Sequence, residues 1–219
     1  RRRRAWPLVA TAAAVIANCI SGLGSVLTFL LVIYLTVVPF GPLAALTLGF
    51  ASGLPLALTG QAMQAWLSVS GVDIATIGFL SLVGLPYTFK FLWAPLMDRF
   101  DLPWLGRRRG WLVATQLLLA LLLFLLAGMS PKGATQAFAL LAVAIAFMSA
   151  SQDVVIDAYR TDLLPARERG MGASLAVAGY RLAMILSGGI AFIWAEQWGS
   201  WPRVYLTMAG IMVAAAAVS

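Results

Sequence analysis

Most of the charge in this chain falls in short intervals between long apolar runs, and that alternation leaves few folds open to it. Runs bounded by charged or turn residues cover Leu43–Val69, Ile74–Met97, Trp111–Met129, Gln136–Tyr159, Gly172–Ala195 and Val204–Ser219. All but the last come close to or exceed the ~20 residues a helix needs to cross a hydrocarbon core. In lipid the backbone must satisfy its own hydrogen bonds, which a helix does within one segment. The intervals between runs carry Ser70-Gly71, Ser130-Pro131-Lys132-Gly133 and Gly199-Ser200-Trp201-Pro202, residues that interrupt regular structure. The expected fold class is an all-α membrane protein. Composition agrees: 62% of the 219 residues are hydrophobic and only 11% are charged, against roughly a quarter charged in a soluble domain.

Several functions are disfavoured by what the chain lacks. It has no His and a single Cys, Cys19, so an internal disulfide and a Cys/His metal site are excluded. The commonest general base is missing too, and no Ser or Cys nucleophile has a base at useful spacing. Asp153 and Asp157 share one helix, whereas an aspartyl dyad needs facing helices. The chain is therefore expected not to be an enzyme and to need no cofactor. Its net charge of +7 does not imply nucleic acid, because the arginines flank apolar runs and form no stripe interleaved with aromatics.

The loops set an orientation. The 98–110 interval holds Arg99 and Arg107 to Arg109, and the 160–171 interval holds Arg160, Arg167 and Arg169. The others hold no cation, Lys132 alone and Arg203 alone. By the positive-inside rule the two basic loops face the cytoplasm, and six helices follow from a cytoplasmic start. Residues 1–42 stand apart from residues 43–219. One long span over Leu8–Val38 would reverse the parity. Two short spans broken at Gly22-Leu23-Gly24 would restore it, and Arg1 to Arg4 before an apolar run also resembles a leader. An extra or foreign segment is the remaining reading. The chain begins without Met, and its last run has about 16 residues, short of a full crossing, so the last helix is expected to be cut.

Charges inside the runs are costly, about 2.5–3.5 kcal/mol each on the mildest scale. At 1.5 Å per residue, Lys90 lies roughly 12 Å in from Asp98, Asp153 about 10 Å from Arg160, and Arg181 about 16 Å from Gly170. Three helices thus place a cation, an anion and a cation in one depth band, pointing to a shared cavity. Asp157 stacks on Asp153's face, with Ala146, Ser149 and Ala150 continuing it and Gln152 beside it. The bland alternatives are interfacial placement for Asp157 and snorkelling toward the cytoplasm for Lys90 and Arg181. Pro86 and Pro95 bracket Lys90 and permit bending, and glycines 49, 53, 179, 188 and 189 offer close-approach surfaces.

The stretch Lys90-Phe91-Leu92-Trp93-Ala94-Pro95-Leu96-Met97-Asp98-Arg99-Phe100, closing with Gly106-Arg107-Arg108-Arg109-Gly110, resembles the major facilitator signature between the second and third helices. It departs from that signature in having Ala94 or Pro95 near the usual first Gly and about six residues inserted before Gly106. Taken with the stretch Phe50 to Thr59, with Ser149-Ala150-Ser151-Gln152-Asp153 and with Thr161-Asp162-Leu163-Leu164-Pro165, the chain from Leu43 to Ser219 resembles the AmpG-type muropeptide permeases. The related acetyl-coenzyme A transporters are the nearest rival. The resemblance implies the first six-helix half of a twelve-helix fold, with the second half missing from this chain. It also implies multi-pass residence in the bacterial inner membrane and proton-driven import of anhydro-muropeptides, disaccharide-peptide fragments of the wall. Lys90 and Arg181 would then hold substrate carboxylates and Gln61, Gln64 and Gln152 its sugar, while Asp153 and Asp157 carry protons. Asp98, Arg99, Gly106, Arg107 and Arg109 would lock one conformational state, and Arg108 is expected to be a topology signal only. A transporter of another anionic solute is the alternative, and a membrane-embedded enzyme a more distant one.

Overall fold

A computed structural model describes residues 41–100 and 106–218. The readings for residues 1–40 and for the 101–105 part of the insertion lie outside the described residues. Within them the chain forms six helical rods.

The first rod is α1 (Gly41–Ala57), a π-turn (Leu58–Ala62) and α2 (Met63–Val69). The second is α3 (Ile74–Leu80), a 3-10 turn (Ser81–Gly84), α4 (Leu85–Phe89), a second 3-10 turn (Lys90–Leu92) and α5 (Ala94–Arg99). The third is α6 (Arg107–Ala127) and the fourth α7 (Thr135–Leu163). The fifth is α8 (Arg169–Ile185), a π-turn (Leu186–Ile190) and α9 (Ala191–Trp198), and the sixth is α10 (Trp201–Val218). Four stretches are each long and apolar enough to cross a membrane: Ile74–Leu92, Arg108–Ala127, Thr135–Leu163 and Arg169–Gln197.

The ends of the rods follow local chemistry. Gly106 takes φ +80° ahead of α6, and Gly199 takes φ +59° after α9, backbone that glycine adopts at little cost. Asp73 caps α3, its carboxylate accepting the Thr76 amide at 2.8 Å and the Thr76 hydroxyl at 2.7 Å, as an N-cap should. The fourth rod outruns its apolar stretch and continues through Arg160-Thr161-Asp162 to Leu163. Hydropathy marks where lipid ends, not where a helix must. What ends this helix is Pro165, which forces Leu164 into extended backbone (φ −100°, ψ 131°).

The second rod is broken where proline predicts. Pro86 and Pro95 occupy the first turns of α4 and α5, where a missing N–H costs nothing. Each of these short helices follows a 3-10 turn.

Two pairings organise the bundle. The first rod lies along the fifth with almost no space between backbones. A Cβ on Gly49 would fall 2.1 Å from the Ala176 carbonyl oxygen, and one on Gly179 would fall 2.1 Å from that of Leu46. Small residues allow this approach, and in lipid such packing is what holds helices together. The third rod meets the fourth and the sixth. Leu119, Leu123, Leu126, Phe138, Ile145, Met208 and Met212 are buried in the main cluster, which also takes in Leu58, Met63 and Leu67 from the first rod. At its centre the Trp66 ring meets Phe138 edge-on at 5.3 Å and Tyr205 at 5.0 Å.

Candidate functional site

The first and fourth rods meet at two consecutive residues of each. Gln152 donates its Nε2 hydrogen to the Ala51 carbonyl at 3.2 Å. One residue along, the Ser52 hydroxyl donates to Asp153 Oδ1 at 2.5 Å. The other carboxylate oxygen, Oδ2, accepts from Lys90 Nζ of the second rod in an ion pair. Asp153 thus has both oxygens engaged, each by a different helix. The side chains of Lys90 and Asp153 are 33% and 18% exposed, so the pair is half-buried and open on one side. Gln152 is fully buried, and its Oε1 has no partner among the described residues.

Lys90 owes its position to the break in its rod. It opens the 3-10 turn Lys90–Leu92, and the flanking aromatic residues fasten that turn to the fourth rod. Tyr87 donates its hydroxyl to Ser149. Trp93 donates Nε1 to Ser151 at 3.0 Å and lies 4.7 Å from the Phe147 ring. Phe89, Trp93, Ala139 and Phe147 also line an apolar groove between the second and fourth rods. Tyr87 and Tyr180 are both within electrostatic reach of Asp153.

The other intramembrane charges sit differently. Asp157 pairs with Arg160 at 3.0 Å one turn along the same helix. Arg181 is exposed on α8 next to Tyr180, and among the described residues nothing pairs with it. Gln61 is exposed in the first π-turn, and Gln64 is half-buried in α2.

The basic end of the bundle holds a second cluster. Arg108 forms an ion pair with Asp98 of α5 and another with Asp162 of α7, the latter at 3.0 Å. Three rods are tied through one guanidinium, whose planar fork suits two carboxylates. The sequence assigns Arg108 to topology alone; in the structure it also carries two ion pairs between rods. Arg109 donates Nε to the Tyr159 hydroxyl at 3.1 Å. Arg107 is the first residue of α6, Arg99 is exposed at the end of α5, and Gly106 precedes α6.

The structure adds Ser52, Tyr87, Tyr180 and Arg108 to the residues picked out from sequence. Tyr87 could have been found, since it lies three residues before Lys90 and so on its face. Ser52 stands out in sequence only within the Ser52-Gly53-Leu54-Pro55 break. Its link to Asp153 could not be found, because 101 residues separate the two and no local pattern joins them.

A broken second helix, a charge pair shared by three rods and a bridged basic end lie in an all-α bundle with four stretches long and apolar enough to cross a membrane. A model of the Major Facilitator Superfamily matches residues 43–219, and the chain belongs to that superfamily. It is similar to the anhydromuropeptide permease of Escherichia coli (strain K12), 55% identical over 168 residues that cover 77% of this chain and 34% of the relative. An uncharacterized protein of Haemophilus influenzae is 40% identical over 166 residues, covering 76% of this chain and 39% of the relative. The putative transporter AmpG 4 of Rickettsia conorii is 34% identical over 172 residues, covering 77% and 42%. The chain thus spans about a third of the length of the Escherichia coli relative it matches.

Proposed function

We propose that this chain is part of a proton-driven importer of anhydro-muropeptides in the bacterial inner membrane. It would be completed by a second six-helix half, and it performs no catalysis of its own. The observation that carries this reading is Asp153, whose two oxygens are held by Ser52 of the first rod and Lys90 of the second. The 55% identity to a named anhydromuropeptide permease supports the substrate class.

The chemistry runs as follows. With Asp153 ionised, Lys90 is neutralised and a solute carboxylate gains little from it. A proton arriving on Asp153 removes the negative charge and frees Lys90, now an unpaired cation in a poorly solvated place. An anionic solute satisfies it, and the exposed Arg181 supplies a second cation with bidentate geometry. Proton and anion then bind together, which is the coupling a symporter needs. Release of the proton on the other side restores the ion pair and expels the carboxylate. Gln152 is fully buried and holds the first rod to the fourth through the Ala51 carbonyl, a packing role beside Asp153. Asp98, Asp162 and Arg108 would hold the basic end closed in one state and part in the other.

The test is uptake of labelled anhydro-muropeptide by spheroplasts expressing the polypeptide that carries this chain. Uptake is expected to collapse with a protonophore, and to fall at least about tenfold in Asp153→Asn at equal membrane level, a loss of about 1.4 kcal/mol or more. Protonophore-insensitive uptake would end the coupling scheme. Absence of uptake would transfer the site to another anionic solute.

A further inference from the structure

The first and fifth rods each carry a five-residue π-turn, Leu58–Ala62 and Leu186–Ile190, and the two lie against each other. A Cβ on Gly188 would sit 3.7 Å from Gln61 Oε1. Single π-turns inside helices are uncommon and concentrate at functional sites, and here two face each other across a glycine-packed pair of rods. Gly60 departs from helical backbone altogether, at φ −89° and ψ −106°. Next to Gln61 and Gly188 there is room, since a Cβ on Gly60 or Gly189 meets no atom within 4 Å. Neither turn contains a charged residue.

The first turn is braced from behind. Tyr205 of the sixth rod is fully buried, and its hydroxyl donates to the Leu58 carbonyl at 2.8 Å. That same oxygen accepts the Met63 amide five residues on. Thr59 holds the preceding turn, donating to the Pro55 and Leu56 carbonyls at 3.1 Å each. The side of the turn that carries Gln61 stays exposed.

We propose that the paired π-turns form a neutral hydrogen-bonding shelf that reads the uncharged, hydroxyl-rich end of the solute, with Gln61 as contact residue and Tyr205 as positioning residue. This rests on the function proposed above and adds an orientation to it. Tyr180, near Asp153, and Gly188, against Gln61, are eight residues apart on the fifth rod, about 12 Å of helix rise. A solute with carboxylates at one end and sugar hydroxyls at the other engages Lys90 with the first and the shelf with the second. The sugar end then points away from the basic loops.

The experiment measures uptake of a labelled anhydro-disaccharide-tripeptide by cells expressing the polypeptide that carries this chain. Unlabelled anhydro-disaccharide and unlabelled free tripeptide serve as competitors. Gln61→Ala and Tyr205→Phe are each expected to raise KM about tenfold, the effect of one lost polar contact, with little change in maximal rate. Both should also weaken competition by the disaccharide while leaving that by the tripeptide intact. Tyr205→Phe keeps the ring on Trp66, and a mere folding defect would lower the maximal rate without this selectivity. If wild-type uptake is normal and Gln61→Ala leaves both KM and disaccharide competition unchanged, the shelf is overturned and the function stands. If the wild type takes up no muropeptide, both fall together.

Discussion

Asp73 shows how much of this molecule can be argued from one side chain. Its carboxylate accepts two hydrogen bonds from Thr76 and so caps α3 at the end of the bundle away from the basic loops. The Thr76 hydroxyl, and then its amide, hold the Asp73 carboxyl below its ordinary value. A carboxyl more acidic in the folded state stabilises it fully above the unfolded value, and that contribution fades as pH falls through the folded one. The window therefore lies below about pH 4. Asp73→Ala should lower the thermal midpoint in detergent at neutral pH, and the gap to wild type should narrow as pH drops through that window. A gap that stays constant to about pH 3 would show that the charge is irrelevant to the cap. Asp73 has no role in the sequence reading above, although an Asp directly before an apolar run is a local N-cap signal.

At the scale of the helix, glycine decides more than any charged residue. Gly179 faces backbone on both sides of the hypothetical Cβ, at 2.1 Å from the Leu46 oxygen and 3.0 Å from the Phe50 nitrogen. No rotamer change relieves that clash, so Gly179→Ala must push the first and fifth rods apart, at about 1–3 kcal/mol or more. Gly78 is the contrast, since it is helical and its Cβ would meet nothing within 4 Å. Gly78→Ala should be neutral or stabilise by up to about 1 kcal/mol. Unfolding midpoints of the two variants in detergent check both statements, and equal midpoints would contradict the packing argument. The sequence marked glycines 49, 53 and 179 as close-approach surfaces but could not say which rods they join. The π-turns were invisible to it, because hydropathy carries no record of one extra residue in a turn. The prolines of the second rod were better signals. Their missing N–H acts locally, so Pro86 and Pro95 announce its broken turns directly.

Across the whole molecule, the pair of Lys90 and Asp153 adds a charge contact between rods already joined by Tyr87 to Ser149 and Trp93 to Ser151. Sequence placed both charges in one depth band, since depth needs only residue counts. It gave no pairing, and it left Arg181 in the same band without showing that it is exposed. A double-mutant cycle measures the tie. Lys90→Met and Asp153→Asn should each destabilise the detergent-solubilised protein by leaving a charge without its partner. The double variant should cost less than their sum by about 0.5–3 kcal/mol. Strict additivity would mean that the two charges act independently.

That ion pair also bears on how the chain is made. Of the four candidate spans, Ile74–Leu92 is the least buried inside the bundle, 11% against 50% for Thr135–Leu163, and it carries an intramembrane cation. Lys90 leaves the ribosome 63 residues ahead of Asp153, an interval of about 3–13 s at ordinary elongation rates of roughly 5–20 residues per second. Through that interval the nascent second helix carries an uncompensated ammonium that lipid receives poorly. Lys90 can snorkel to the cytoplasmic interface meanwhile, so this helix is expected to settle at its final depth only once the fourth brings the counter-ion.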